Sequence, residues 1–341
     1  MPKSDSLDLL IVGAGPCGLA AAISAMRAGL SVEVVEASVV VASIAQYPTY
    51  ATFFSTAEKL SLGDVPFVTA TEKPTRRDAL AYYRTIVRHF HIPVHQYERV
   101  IRVTGASGDF RVQTASGTGE VARRRAKAIV IATGYFGSPN LLNVPGEDLP
   151  HVTHIFHEGH EAFDQDVVVG GGGNSAAEAA LDLWRSGARV TLVHFGPGFD
   201  KKIKPWVLPD FENRVKEGSI ATQWSSRIAK IEADAVTVES GGKLTKVAAS
   251  RVYLMTGFAP NVDLLREMGV PIDAKTGIPE HDSNTLETVI PGVFIAGVVV
   301  AGFDANKVFI ENGRFHGDKI VARLTGTTAP AEPTLSPELD T

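Results

Sequence analysis

Short apolar runs that end in glycine, each followed by an alanine-rich stretch, recur along this chain. Leu7–Val12 is continuously apolar apart from Asp8, the mark of a buried strand, and G-A-G-P-C-G follows it. Residues 19–27 then read as a helix that Gly29 stops, and 31–36 as the next strand. The same order returns at 167–169, where a strand leads into four consecutive glycines, a helix over 175–186, a stop at Gly187 and a strand over 189–194. Between the two units, 47–67 reads as a loop rich in aromatics, Thr and Ser. Thr75 with Asp78 three residues on predicts a capped helix to about residue 89. Strands are expected over 100–112 and 126–133, antiparallel strands over 233–247, a strand over 288–296 and one helix over 305–324. The tail at 326–341, rich in Pro, Thr and Glu, is expected to be disordered.

Strands that alternate with helices predict an α/β fold, and 341 residues suit two domains. A net charge of −5 argues against a nucleic-acid or anionic-membrane partner. The apolar start at 7–22 could pass for a signal peptide. However, Asp5 and Asp8 precede or interrupt it, three glycines lie inside it and no small-residue cleavage site follows, so it reads as strand plus helix. No apolar run reaches the roughly 18 residues of a membrane span. Cys17 is the one cysteine, which excludes an internal disulfide and a cysteine-rich metal site.

The glycine turns carry the chemistry. Gly13, Gly15 and Gly18 form G-x-G-x-x-G between a strand and a helix. The first permits the turn, the second lets a pyrophosphate approach the backbone, and the third lets helix and strand pack closely. Pro16 suits the first helical position. Glu36, at the end of the second strand, can accept hydrogen bonds from adenosine ribose hydroxyls. Gly171, Gly173 and Ala176 repeat the pattern, with Asn174 and Ser175 at the helix start. Here the second strand ends at His194 with no acid, and Lys201, Lys202 and Lys204 follow. Lysines attract a 2′-phosphate that an acid would repel, which favours NADPH over NADH, although the same lysines would serve as a solvated turn.

Two such sites, with Ala132-Thr133-Gly134, Met255-Thr256-Gly257 and 291–297 (P-G-V-F-I-A-G), resemble the low-molecular-weight thioredoxin reductase-like flavoproteins. The chain departs from them in having no Cys-x-x-Cys, and in Val298 where an acid follows the last glycine. G-A-G-P-C-G, Y-P-T at 47–49, T-F-F-S-T at 52–56, K-P-T-R at 73–76, K-P-W at 204–206 and F-I-E-N-G at 309–313 together resemble the bacillithiol disulfide reductase family. That resemblance implies FAD on the first and last segments, NADPH on the middle one, and reduction of bacillithiol disulfide, a small-molecule substrate, in the bacterial cytoplasm. It also implies association into a homo-oligomer. Residues 1–150 and 259–325 would form a discontinuous FAD domain, and 151–258 the NADPH domain, both Rossmann-like and three-layered. Tyr47, Thr133, Gly134, Gly297, and Ala305 with Asn306 at the start of the last helix, would surround the flavin.

Cys17, in the first turn after the phosphate loop, is the candidate nucleophile. A helix start favours thiolate, although a small packing residue would fit the same place. His151, His154, His157 and His160 recur every third residue, but Gly159 and the absence of an acid or thiol cluster speak for a linker and against a metal site. A flavin monooxygenase, a ferredoxin-type NADP reductase and a non-enzymatic redox sensor remain as alternatives.

Overall fold

The computed structural model describes residues 6–200, 203–304 and 307–331. The tail from 332 onward therefore lies outside the described residues. The chain divides into two compact units. One comprises Met1–Ala45, Thr52–Gly137 and Ala259–Thr341; the other comprises Gln46–Ala51 and Ser138–Phe258. Residues 138–150 thus group with the middle segment, as does the short stretch that contains Tyr47.

The first unit opens with β1 (Leu7–Val12), α1 (Pro16–Arg27) and β2 (Val32–Val35). The helix α2 (Arg76–Phe90) carries the expected capping box: the Thr75 hydroxyl accepts from Asp78 N–H, and the Asp78 carboxylate accepts from Thr75 N–H. β3 (Val94–His95), β4 (Glu98–Ala106), β5 (Asp109–Ser116) and β6 (Val121–Ile131) follow. The second unit contains β7 (Val152–Thr153), β8 (Asp166–Gly170), α3 (Asn174–Arg185), β9 (Arg189–Val193), α4 (Leu208–Lys216) and β10 (Ile220–Gln223). It continues with β11 (Arg227–Ile231), β12 (Ala235–Ser240), β13 (Lys243–Ala248) and β14 (Arg251–Leu254). The chain then returns to the first unit with β15 (Val293–Ile295), α5 (Ile310–Gly313) and α6 (His316–Thr325).

In the first unit the sheet order is β3-β2-β1-β6-β5-β4, with β15 also on β6. β6 serves two surroundings. Its first half, V-A-R-R-R, alternates exposed and half-buried positions and runs antiparallel to β5; its end, Ala128–Ile131, is buried and runs parallel to both β1 and β15. A strand covered on both faces needs continuous apolar residues, and Ala128–Ile131 supply them. In the second unit β10-β9-β8-β14-β7 form a parallel sheet, and β11-β12-β13 an antiparallel meander. The β8 valines sort by alternation. Val167 and Val169 pack with Ala176, Ala180 and Leu183 of α3, while Val168 packs with Ile228, Val236 and Val238 of the meander. Helix, parallel sheet and meander are three layers, as expected.

Three elements differ from the sequence reading. The strand expected over 100–112 is a hairpin, because Gly105 and Gly108 adopt positive φ and turn β4 into β5. The strand expected over 288–296 narrows to β15. The helix expected over 305–324 is two helices, α5 and α6, with Gly313 closing the first.

Candidate cofactor sites

The turn after β1 is built by contact. Gly13 has φ of +109°, and a Cβ there would stand 2.4 Å from the Ala132 carbonyl oxygen. A Cβ on Gly18 would stand 2.0 Å from the Gly13 carbonyl oxygen, so α1 rides directly on the turn. Gly15 differs, since a Cβ there would meet nothing within 4 Å. Its backbone is extended, at φ −70° and ψ 172°, and it caps α1 without a side-chain hydrogen bond. The start of α1 therefore has open space beside it and no side-chain cap, the arrangement in which first-turn amides receive a phosphate. Two of these glycines serve the fold and one leaves room for a ligand.

Glu36 lies beside that space with its carboxylate already oriented. Oε2 accepts from Ala14 N–H at 2.8 Å and Oε1 from Ser38 N–H at 2.8 Å. The exposed Thr133 and the half-buried Gly134, at φ +69°, follow β6, whose end is tied to β1 through Ala132 N–H and Val12 O at 2.8 Å. Gly297, also at positive φ, follows β15 and donates its N–H to His316 Nδ1 at 3.1 Å. His316 was missed in the sequence, where it reads as one buried position of an amphipathic helix. Because Nδ1 accepts, a neutral ring carries its proton on Nε2. Ala305 and Asn306 lie outside the described residues. Tyr47 is half-buried and groups with the second unit.

Cys17 occupies the second position of α1, immediately after Pro16. A Cβ on Gly313 would stand 2.7 Å from its Sγ, and one on Gly297 would stand 3.2 Å from it, so the thiol fills a slot between two backbone segments. Burial pushes the thiol pKa up to about 12. Desolvation therefore works against the thiolate that a helix start favours, at a side chain that is half-buried.

The second loop repeats the plan. Gly171 has φ of +146°, and a Cβ there would lie 2.4 Å from Met255 O and 3.1 Å from the Ala176 Cβ. Gly173 is open; the nearest atom to its Cβ position is Asp200 Oδ2, at 3.9 Å. It caps α3 without a side-chain hydrogen bond. Asn174 Oδ1 accepts from Lys204 N–H at 2.9 Å, so this side chain pins the following loop to the helix, while Ser175 is exposed. Lys204 Nζ lies 3.8 Å from Glu178 and 5.9 Å from the centre of the Trp206 ring. Lys201 and Lys202 lie outside the described residues. His194 is buried, with its ring against Gly172. The histidines of the linker stand apart. His154 Nε2 lies 3.4 Å from Glu147 and His151 Nε2 bonds Glu232 O at 3.0 Å, and no cluster of metal-ligating side chains occurs among the described residues.

Known proteins resemble this chain over most of its length. The family model for pyridine nucleotide-disulphide oxidoreductases matches residues 10–297. The chain is 46% identical over 317 residues to the bacilliredoxin reductase Bdr of Bacillus subtilis, covering 92% of this chain and 96% of that protein. The solved bacillithiol disulfide reductase Bdr (YpdA) of Bacillus cereus superposes with a TM-score of 0.91 at 45% identity, over 94% of this chain and 99% of that one. The Staphylococcus aureus enzyme of the same name gives 0.88 at 41%, over 94% and 98%.

Proposed function

The chain belongs to the pyridine nucleotide-disulphide oxidoreductase family, and on that footing we propose that it is an NADPH-dependent flavin disulfide reductase acting on bacillithiol disulfide. The overall change is NADPH plus a proton plus one disulfide giving NADP⁺ and two thiols. FAD, when bound, supplies a carrier that accepts a hydride and hands on two electrons. The observation that carries the reading is the pair of open glycines. A Cβ would meet nothing within 4 Å at Gly15 and nothing closer than 3.9 Å at Gly173, whereas Gly13, Gly18 and Gly171 are in close contact, so each loop keeps room for a pyrophosphate.

The chain's own residues divide the work. Residues 1–45, 52–137 and 259–325 hold FAD. Gly13, Gly15, Pro16 and Gly18 receive its pyrophosphate, and Glu36 its ribose. Thr133, Gly134 and Gly297, with Ala305, Asn306 and Tyr47, complete the set of flavin residues in this reading. Gly171, Gly173, Asn174, Ser175 and Ala176 form the NADPH loop, with Lys201 and Lys202 for the 2′-phosphate. Cys17 opens the substrate disulfide on different terms from those the sequence suggested: a protonated thiol must lose its proton as it attacks. Homo-oligomeric assembly and a cytoplasmic setting accompany this reading. No helix among the described residues is long and apolar enough to cross a membrane.

Identity above 40% to proteins named as bacillithiol disulfide reductases supports this reading over a monooxygenase, a ferredoxin reductase or a sensor. The test is NADPH oxidation without oxygen against bacillithiol disulfide, cystine, glutathione disulfide and ferredoxin. Bacillithiol disulfide should turn over fastest. Equal rates on all disulfides would remove the substrate assignment, and activity with ferredoxin alone would remove the reaction class.

A further inference from the structure

The two loops differ at one matched place. In each, a residue follows the last strand position and faces the middle residue of the turn: Glu36 faces Ala14, and His194 faces Gly172. In the first loop the carboxylate lies beside the turn and takes the Ala14 N–H, so residue 14 keeps its methyl group. In the second, the imidazole occupies the space a methyl group would need. A Cβ on Gly172 would stand 2.2 Å from His194 Cε1 and 2.4 Å from both Nδ1 and Nε2.

The ring has little freedom to yield. It is 5% exposed, with Phe195 at 4.4 Å and Trp224 at 6.2 Å between ring centres. Gly196 closes another side, where a Cβ would stand 2.8 Å from Nε2. The backbone at 194 is held at both ends: His194 N–H donates to Gln223 O, and Ser226 N–H donates to His194 O, each at 3.0 Å. Asp200 completes the arrangement, its N–H on Gly172 O at 3.0 Å and its Oδ1 3.9 Å from His194 Nε2.

We propose that His194 is a positioning residue for the nicotinamide cofactor: its buried ring is the floor on which the 171–173 turn rests, and it sets affinity for the pyrophosphate that NADPH and NADH share without reading the 2′-phosphate. This rests on the reading of that loop as the NADPH site. Burial holds the ring's pKa below the ordinary histidine value, against the pull of Asp200, so the floor is neutral near pH 7 and acts by shape.

The test measures NADPH and NADH dissociation constants and limiting flavin-reduction rates, without oxygen, in the FAD-loaded protein. Gly172→Ala should weaken both cofactors by the same factor, between about fivefold and a hundredfold, the range expected for overpacking a closed turn. The limiting rate should change less than the affinity. His194→Ala alone should weaken both cofactors equally, and adding it to Gly172→Ala should restore affinity to that of His194→Ala. The double variant keeps the test open if Gly172→Ala does not fold. Loss confined to NADPH would make His194 a reader of the 2′-phosphate and overturn the proposal, as would a double variant worse than both singles. Gly173→Val with wild-type affinity for NADPH would instead overturn the loop assignment beneath it.

Discussion

Gly15→Val and Gly18→Ala separate the needs of the ligand from those of the fold. At Gly18 the added methyl group would stand 2.0 Å from the Gly13 carbonyl oxygen, a backbone atom fixed by the turn, so helix and turn must part by at least about 1 Å. Overpacking of that kind costs about 1–3 kcal/mol even before a cofactor is considered. At Gly15 the new side chain enters empty space from a backbone that any residue can adopt. The apoprotein should therefore melt at the wild-type temperature or slightly above, since removing a glycine stiffens the unfolded chain by about 0.4–1 kcal/mol. The cofactor should respond in the opposite way. With free FAD at a hundred times its dissociation constant, the wild type gains about 2.7 kcal/mol, which is about 5–10 °C for units of this size. Gly15→Val should show none of that gain and should purify colourless. Melting curves with and without FAD, and the visible spectrum, measure both halves. A yellow Gly15→Val protein with the full shift would show that no pyrophosphate approaches there. An apoprotein melting well below wild type would show that the open space is not open.

Cys17→Ser should be reduced by NADPH at close to the wild-type rate, because the hydride step needs no thiol, and should lose turnover of bacillithiol disulfide; full turnover would leave Cys17 a packing residue. With its thiol pKa near 12, wild-type disulfide turnover limited by attack should rise about tenfold per pH unit through the neutral range, and a flat profile would show that Cys17 is already thiolate. Lys201→Ala with Lys202→Ala should raise the NADPH KM and leave that for NADH nearly unchanged, whereas equal effects would remove these lysines from the 2′-phosphate. Arg124 bridges Glu33 and Glu98 and bonds Thr114, so Arg124→Met should cost about 2 kcal/mol in a denaturant titration. Arg124 holds the Glu98 carboxyl below its usual pKa, and Lys127 with Ser31 holds that of Asp8 at about 2. These pairs stabilise the fold above the ordinary carboxylate range and lose that contribution as pH falls toward 2; stability unchanged across that interval would refute the linkage.

The sequence made the nucleotide loops legible because their constraints are local. A strand buried on both faces must be apolar, and a turn at positive φ that touches backbone admits glycine, so Leu7–Val12 and Gly13 announce themselves. What stayed hidden depends on partners far along the chain. The pairing of Arg124 with Glu33 and Glu98, distant in sequence, has no local signature in the V-A-R-R-R half of β6. The helix expected over 305–324 is interrupted after Gly313, whose missing side chain leaves room for a sulfur nearly 300 positions earlier. Cys17 shows the same limit in its chemistry. Its place in a helix is local and readable, whereas its pKa depends on Gly297 and Gly313 closing around it.

The duplicated loops make the point most sharply, because position and spacing are alike and only the surroundings differ. From the pattern alone, Glu36 and His194 occupy one role, that of the residue facing the adenosine ribose. The carboxylate is small and needs hydrogen-bond donors, so it settles beside the turn and uses the Ala14 and Ser38 amides. An imidazole is broad and can be buried neutral, so it moves under the turn if the middle residue gives up its side chain, and position 172 is glycine. Gly172, one of the two glycines in the 170–173 run that the fingerprint does not require, is thus explained by the residue at the end of the neighbouring strand. On the proposed reading, recognition of the 2′-substituent would fall to Lys201 and Lys202 in the loop that follows. Exchanging His194 for Glu should therefore do more than remove a floor. In the place that Glu36 holds in the first loop, the carboxylate would take the Gly172 N–H as Glu36 takes that of Ala14, and would offer a ribose acceptor. We expect His194→Glu to weaken NADPH more than NADH in the same binding assay, the reverse of the even loss expected for His194→Ala; equal losses for the two cofactors would refute the equivalence of the two positions.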